Sequence, residues 1–108
     1  MANTFNFNTI KKKFLTVTLP DEKKTMILVG LPTKAIFDEF VNLKNSLGEV
    51  GDDAIEELYS IVAKILNCNK NGVKISTETV KEIMDFEDIV YFIQAYAEFI
   101  QEITNSKN

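Results

Sequence analysis

The C-terminal segment of the chain carries a helical pattern of apolar residues that constrains the fold more than any other feature. From Phe86 to Ile103, apolar side chains recur at spacings of three and four residues. At 100° per residue they cover roughly half of the helix circumference, whereas a helix on one side of a small core needs a stripe of only ~100°. The pattern therefore predicts a long helix that is either covered on two sides within its own domain or shared between its core and another chain.

The edge of this stripe supplies candidate contact residues. In the helical projection, Phe92 and Phe99 lie at the edge, and Ile103 lies at the C-terminal end of the stripe. Aromatic side chains are enriched in protein interfaces. If part of the stripe meets another protein, we expect these three residues to make the contact.

Two apolar runs nearer the N-terminus, residues 14–19 and 25–30, predict a β-hairpin around a turn that contains Pro20. A two-stranded hairpin is marginal in water, so it must pack on helices, gain a third strand or pair with another copy. The alternating residues 5–8, Phe-Asn-Phe-Asn, are a candidate for the third strand.

Three helices are predicted between the hairpin and the last helix. The first covers residues 33–47, with Phe37 and Leu47 on its apolar face and Gly48 at its end, and the second covers residues 53–67. The third is a short segment that Ser76 or Thr77 caps and that ends near Met84, after which Asp85 caps the last helix. The fold class is therefore α+β, mostly α, with an N-terminal β-hairpin followed by about four helices. We assign residues 1–12 to a leader and residues 13–108 to a single domain.

The composition argues against an enzyme. The 108 residues include no histidine, which removes the commonest general base and metal ligand. Cys68 is the single cysteine, so an intrachain disulfide is impossible. Adjacent acidic residues such as Glu56 and Glu57 point about 100° apart on a helix and do not converge on a metal ion. We expect no catalytic residue and no cofactor.

Residues 67–78 have the spacing of a calcium-binding loop, with asparagines at positions 1, 3 and 5, glycine at position 6 and glutamate at position 12. The asparagines are neutral, and only Glu78 supplies a negative charge, so calcium affinity would be weak. We favour the alternative, an asparagine-glycine turn that joins two helices.

Charge is unevenly distributed. Residues 1–24 contain five lysines and two acidic residues, whereas residues 25–108 contain seven lysines and fourteen acidic residues. The run Lys11, Lys12 and Lys13 is either a solvated leader that protects a sheet edge or a binding site, and for a binding site we prefer an acidic protein partner. The last helix is acidic, so a head-to-tail contact between copies would be complementary and would close into a ring or continue as a spiral.

Nucleic acids and membranes are not expected partners. The chain has no arginine and no broad basic face. No apolar run approaches the ~20 residues that cross a bilayer, and the first residues do not resemble a secretory signal. We expect the protein to act in the cytoplasm.

The order of these elements resembles the tail assembly chaperones of long-tailed bacteriophages and of related prophages in low-GC Gram-positive bacteria. The resemblance runs from about residue 13 to residue 104. Its segments are the strand pair 14–19 and 25–30, the helix start 32–38, the helix end 59–67, the helix start 76–80 and the closing helix 85–103.

This resemblance implies a non-catalytic function. Members of the family coat the tape measure protein in the host, keep its apolar helices soluble, help to bring tail tube protein to it, and are absent from the finished virion. Many are also made in a longer, frameshifted form. The alternative is a small regulatory adaptor, of the anti-repressor or antitoxin-like kind, that binds one specific protein.

Overall fold

The computed structural model describes residues 4–45 and 52–105, which form a β-hairpin followed by four α-helices. This confirms the predicted α+β, mostly α class. The elements are β1 (Leu15–Thr18), β2 (Met26–Val29), α1 (Lys34–Asn45), α2 (Asp52–Leu66), α3 (Thr77–Ile83) and α4 (Phe86–Asn105). Gly48, predicted to end the first helix, and Leu47, predicted for its apolar face, lie outside the described residues.

The hairpin is antiparallel, and its register runs from Leu15 opposite Val29 to Thr18 opposite Met26. Asp21 holds the turn, since its carboxylate accepts hydrogen bonds from the Thr25 backbone N–H (2.9 Å) and the Thr25 hydroxyl (2.8 Å). These hydrogen bonds lower the pKa of Asp21 below its ordinary value, and the one from the Thr25 backbone has the larger effect.

The prediction that residues 5–8 add a third strand is wrong. The sheet has two strands, and the segment instead enters a 3-10 helix, Phe7–Thr9, with the Asn6 side chain accepting from the Asn8 N–H. Asparagine favours such local side-chain bonds over a strand ladder.

The loop after α2 covers the second edge of β2 instead. The Gly30 N–H donates to the Cys68 carbonyl (3.1 Å), and the Lys70 N–H donates to the Leu28 carbonyl (3.0 Å). Asn69 forms an isolated bridge with Val29. The hairpin thus gains its additional support from a segment far along the chain.

The central helix is α2 rather than α4. Ile61, Val62, Ala63, Ile65 and Leu66 are all buried, so the C-terminal half of α2 is covered on nearly every side. It packs against α1, α3 and α4. One interpretation of the sequence was that the last helix is covered on two sides within its own domain. The helix that is covered in this way is α2.

Helix α4 packs on the core along one side. Ile89, Ile93, Tyr96 and Phe99 are buried, while the predicted polar half faces solvent. The predicted cap at Asp85 is confirmed, because its carboxylate accepts from the Asp88 N–H (2.8 Å) and the Asp88 carboxylate accepts from the Asp85 N–H (3.0 Å).

Helices α1 and α3 complete the bundle. Phe40 of α1 and Val80 of α3 are buried, and Ser76 is the N-cap of α3, as predicted. Phe37, which the periodicity also placed on the inner face of α1, is exposed. In the part of the chain that the structure describes, no helix has the length and apolar character needed to cross a bilayer.

Candidate protein-binding surface

The structure brings four of the six predicted contact residues together. Lys11, Lys12, Lys13 and Ile103 line one open groove of about 760 Å³ between the leader, the end of β2 and the C-terminal end of α4. We call this the basic groove. Its other lining residues are Phe14, Gly30, Leu31, Pro32, Thr33, Cys68 and Lys70.

A buried hydrogen bond joins the two sides of the basic groove. Tyr96 of α4 is fully buried, and its hydroxyl donates to the Gly30 carbonyl at 2.8 Å. Burial raises the pKa of Tyr96 well above its ordinary value, so the hydroxyl stays a donor. Gly30 is also tightly packed, since a Cβ there would lie 3.2 Å from a Phe14 ring carbon. The groove is therefore built on a fixed junction of hairpin and helix.

The charge of the basic groove has one sign. It contains four lysines, and none of its described lining residues carries a carboxylate. Lys70 lies over the ring of Phe14, with the ammonium nitrogen 5.0 Å from the ring centroid. Leu31 and Ile103 add apolar surface beside these charges. Such a groove suits a ligand that combines negative charge with apolar groups.

The leader extends this surface with exposed aromatic side chains. Phe5 and Phe7 are 69% and 72% exposed, and their rings contact each other edge-to-face with centroids 4.7 Å apart. A shallower depression lined by Phe7, Ile10, Lys11 and Phe14 adjoins the groove. This surface was not predicted from the sequence, in which residues 5–8 were interpreted as a strand; its signal there is two aromatic residues among polar neighbours.

Phe99 does not lie at an exposed edge, so its predicted placement is wrong. It is only 8% exposed, and its ring centroid lies 6.0 Å from that of Tyr96. Phe92 is half-buried and stacks on Tyr96 at 5.8 Å. A helical projection of α4 alone does not contain the tertiary neighbours that bury Phe99. Tyr96, which contacts the Phe99 ring, also contacts Phe40 of α1, with ring centroids 5.5 Å apart. A binding role for Phe92 and Ile103 stays a prediction.

The asparagine loop, residues 67–73, is the predicted turn. The side-chain oxygen of Asn69 accepts hydrogen bonds from the backbone N–H groups of Asn71 and Val73, both at 3.0 Å. The side-chain NH2 group of Asn69 donates to the backbone carbonyls of Leu66 and Val73. Gly72 has the positive φ of 75° that the turn requires.

The other two asparagines of this loop are engaged as well. The Asn67 side chain both donates to and accepts from the Ile75 backbone, at 2.7 Å in each case, and the Asn71 oxygen accepts from the Leu28 N–H. The oxygens that calcium would need are therefore already used to hold the backbone.

Cys68 is a poor nucleophile in this setting. The half-buried thiol donates to the Lys64 carbonyl at 3.6 Å. Burial raises its pKa, so the reactive thiolate is disfavoured. Its position in the basic groove is consistent with packing.

The surface as a whole offers aromatic rings, aliphatic side chains and ammonium groups. These groups bind acidic and apolar ligands, and they are typical of protein interfaces that combine anchors with a charged rim. Comparison of the chain with protein-family models, curated proteins and solved structures finds no match.

Proposed function

We propose that the protein is a phage tail assembly chaperone that binds and solubilises the tape measure protein and helps to recruit tail tube protein. In this proposal it acts in the host cytoplasm and self-associates. The observation that carries the proposal is the continuous exposed surface formed by the leader aromatics and the basic groove. The order of hairpin and helices, which resembles that family, supports the same class.

The physical case rests on apolar surface left in water. Phe5, Phe7, Ile10 and Leu31 are all exposed although the domain has a well-buried core elsewhere. Covering apolar surface yields roughly 25 cal/mol per Å², so these side chains favour association with an apolar partner. The lysines beside them keep the surface hydrated until a partner arrives.

A second candidate function is a regulatory adaptor that binds one specific protein. The observation that favours it is the size of the basic groove, about 760 Å³, which suits a single short segment. A chaperone of long helices would instead bind along its partner in many copies, each of which contacts the partner through its own leader and basic groove.

Co-expression tests the proposed function. The protein is produced together with the long coiled-coil-rich protein that we expect its neighbouring gene to encode, and the soluble fraction of that partner is measured. We expect the parent to raise this fraction several-fold and the double variant Phe5→Ser/Phe7→Ser to lose most of the effect. Met26→Ser is the matched control, because Met26 is also exposed but lies at the turn end of the hairpin.

Two results would contradict the proposal. One is a partner that is equally soluble with and without the protein. The other is a Phe5→Ser/Phe7→Ser variant that folds and solubilises the partner as well as the parent does. A repressor or toxin as the neighbouring gene product, bound in a fixed ratio, would favour the adaptor.

A further inference from the structure

We infer that the basic groove of one copy binds the exposed acidic side of α4 of a second copy, so that the protein associates head to tail. We call the second surface the acidic face and define it by Glu87, Tyr91, Gln94 and Glu98. The inference deepens the proposed function and rests on it in treating self-association as part of that function.

The acidic face combines negative charge with exposed aromatic surface. Glu87, Tyr91, Gln94 and Glu98 follow one another at spacings of four, three and four residues and are all exposed. Tyr91, at the centre of this face, is 63% exposed. No basic residue occurs between Lys81 and Lys107, so no lysine of α4 offsets this charge.

The basic groove complements this face in both charge and polarity. Its four lysines have no carboxylate beside them among the described lining residues, and the acidic face has carboxylates with no nearby lysine on its own helix. The groove also provides Leu31 and Ile103 as apolar contacts for the Tyr91 ring, and its lysines can lie over that ring.

The positions of the two surfaces require the contact to be between molecules. Ile103 lines the groove at the C-terminal end of α4, whereas Glu87, at the far end of the acidic face, is the second residue of that helix. At 1.5 Å per residue, about 25 Å of helix separates them. One copy therefore cannot place its acidic face in its own groove. A contact between two different surfaces repeats from copy to copy, and it closes into a ring or continues as a spiral.

Sedimentation velocity over a wide range of protein concentration tests the inference. The groove variant Lys11→Glu/Lys12→Glu/Lys13→Glu and the face variant Glu87→Lys/Glu98→Lys each place like charges opposite one another. We expect each to weaken self-association by roughly 10- to 100-fold. The variant Lys23→Glu/Lys24→Glu/Lys74→Glu has the same net charge as the groove variant but changes lysines outside the groove, and we expect it to associate like the parent.

Recombining the variants gives the sharpest result. In a mixture of the groove variant and the face variant, the unchanged face of one meets the unchanged groove of the other, and the reversed groove meets the reversed face, so the mixture should form assemblies that contain both chains although neither variant associates alone. A single chain that carries both sets of substitutions has the two charges exchanged, and we expect it to recover much of the parent's self-association.

Three outcomes would overturn the inference: a parent that stays monomeric at all concentrations, a groove or face variant that associates like the parent, or a mixture that forms no assembly of both chains. If a monomeric parent still solubilises the tape measure protein, this inference and the proposed self-association fail, while the proposed binding and solubilisation of that partner stand. If short duplex DNA binds the monomeric parent and not the groove variant, the groove recognises phosphate instead.

Discussion

The described part of the leader, residues 4–12, and the asparagine loop, residues 67–73, both contain asparagines whose side chains form hydrogen bonds, yet they relate to the fold in opposite ways. In the leader, Asn6 bonds only to Asn8 and Thr9, within its own turn. In the loop, Asn69 bonds to the end of α2 and across the turn, and Asn71 bonds to β2. The polar loop is therefore part of the fold, while the leader is attached to it without contributing buried contacts.

The apolar residues of the two regions show the same contrast. Val73 and Ile75, around the end of the asparagine loop, pack in or against the core, whereas Phe5 and Phe7 stay exposed. Hydrophobicity alone does not decide burial in a small domain, because the chain must also bring a covering surface to each side chain. We conclude that the loop stabilises the domain and that the leader is available to a partner.

The largest expected effect comes from the asparagines themselves. Asn69→Ala removes four hydrogen bonds from a partly buried turn, so we expect the free energy of unfolding to fall by about 2–4 kcal/mol. Asn6→Ala loses only exposed, local hydrogen bonds and should change the free energy of unfolding by less than about 0.5 kcal/mol. Urea unfolding followed by circular dichroism measures both, and equal losses would remove the contrast between the two regions.

A smaller effect is expected at the junction beside the groove. Tyr96→Phe leaves the buried Gly30 carbonyl without its 2.8 Å hydrogen bond, and we expect a loss of about 1–2 kcal/mol in the free energy of unfolding. Tyr91→Phe is the matched control on the same helix, because Tyr91 is exposed and should change stability by less than about 0.5 kcal/mol. If the two tyrosine variants were equally stable, the hydroxyl of Tyr96 would not hold the junction.

The smallest effect concerns pH and the hairpin turn. Hydrogen bonds from Thr25 lower the pKa of Asp21 below its ordinary value of 3.8. The native state therefore binds the Asp21 proton less readily than the unfolded state does. The stabilisation is fully present well above pH 3.8 and is lost as the pH falls from there through the lowered pKa.

We expect Asp21→Asn to lose this pH-dependent contribution. The difference in stability between the parent and the variant should then shrink on acidification, as measured by urea unfolding at a series of pH values. A difference that stays constant with pH would show that the charge of Asp21 does not stabilise the turn.

Periodicity in the sequence was enough to predict the elements. The spacing of apolar residues located α4 and its polar half, and the residue type at Asp85 identified its cap. The hairpin and the glycine turn at Gly72 were predicted in the same way, because each depends on local chemistry. The helix, its cap, the hairpin and the glycine turn depend mainly on residues that are close together in the sequence, so the sequence alone is enough to predict them.

Features that depend on distant neighbours were not predictable. Phe99 is buried by tertiary packing, and a helical projection of α4 carries no information on the other elements. Lys11–Lys13 and Ile103 were predicted as contact residues on separate grounds. Their place in one groove depends on how the hairpin meets α4, where the Tyr96 hydroxyl bonds to the Gly30 carbonyl.

Photo-crosslinking in cells tests the central claim most directly, namely that the leader and the basic groove form a surface for protein contact. A photoreactive residue replaces Leu31 in the groove, and a matched one replaces Met26, which is more exposed than Leu31 and lies at the turn end of the hairpin. Our account predicts discrete adducts from position 31, with a second copy of the chain or with the tape measure protein, and none from position 26. No adduct from position 31, or the same adducts from both positions, would contradict it.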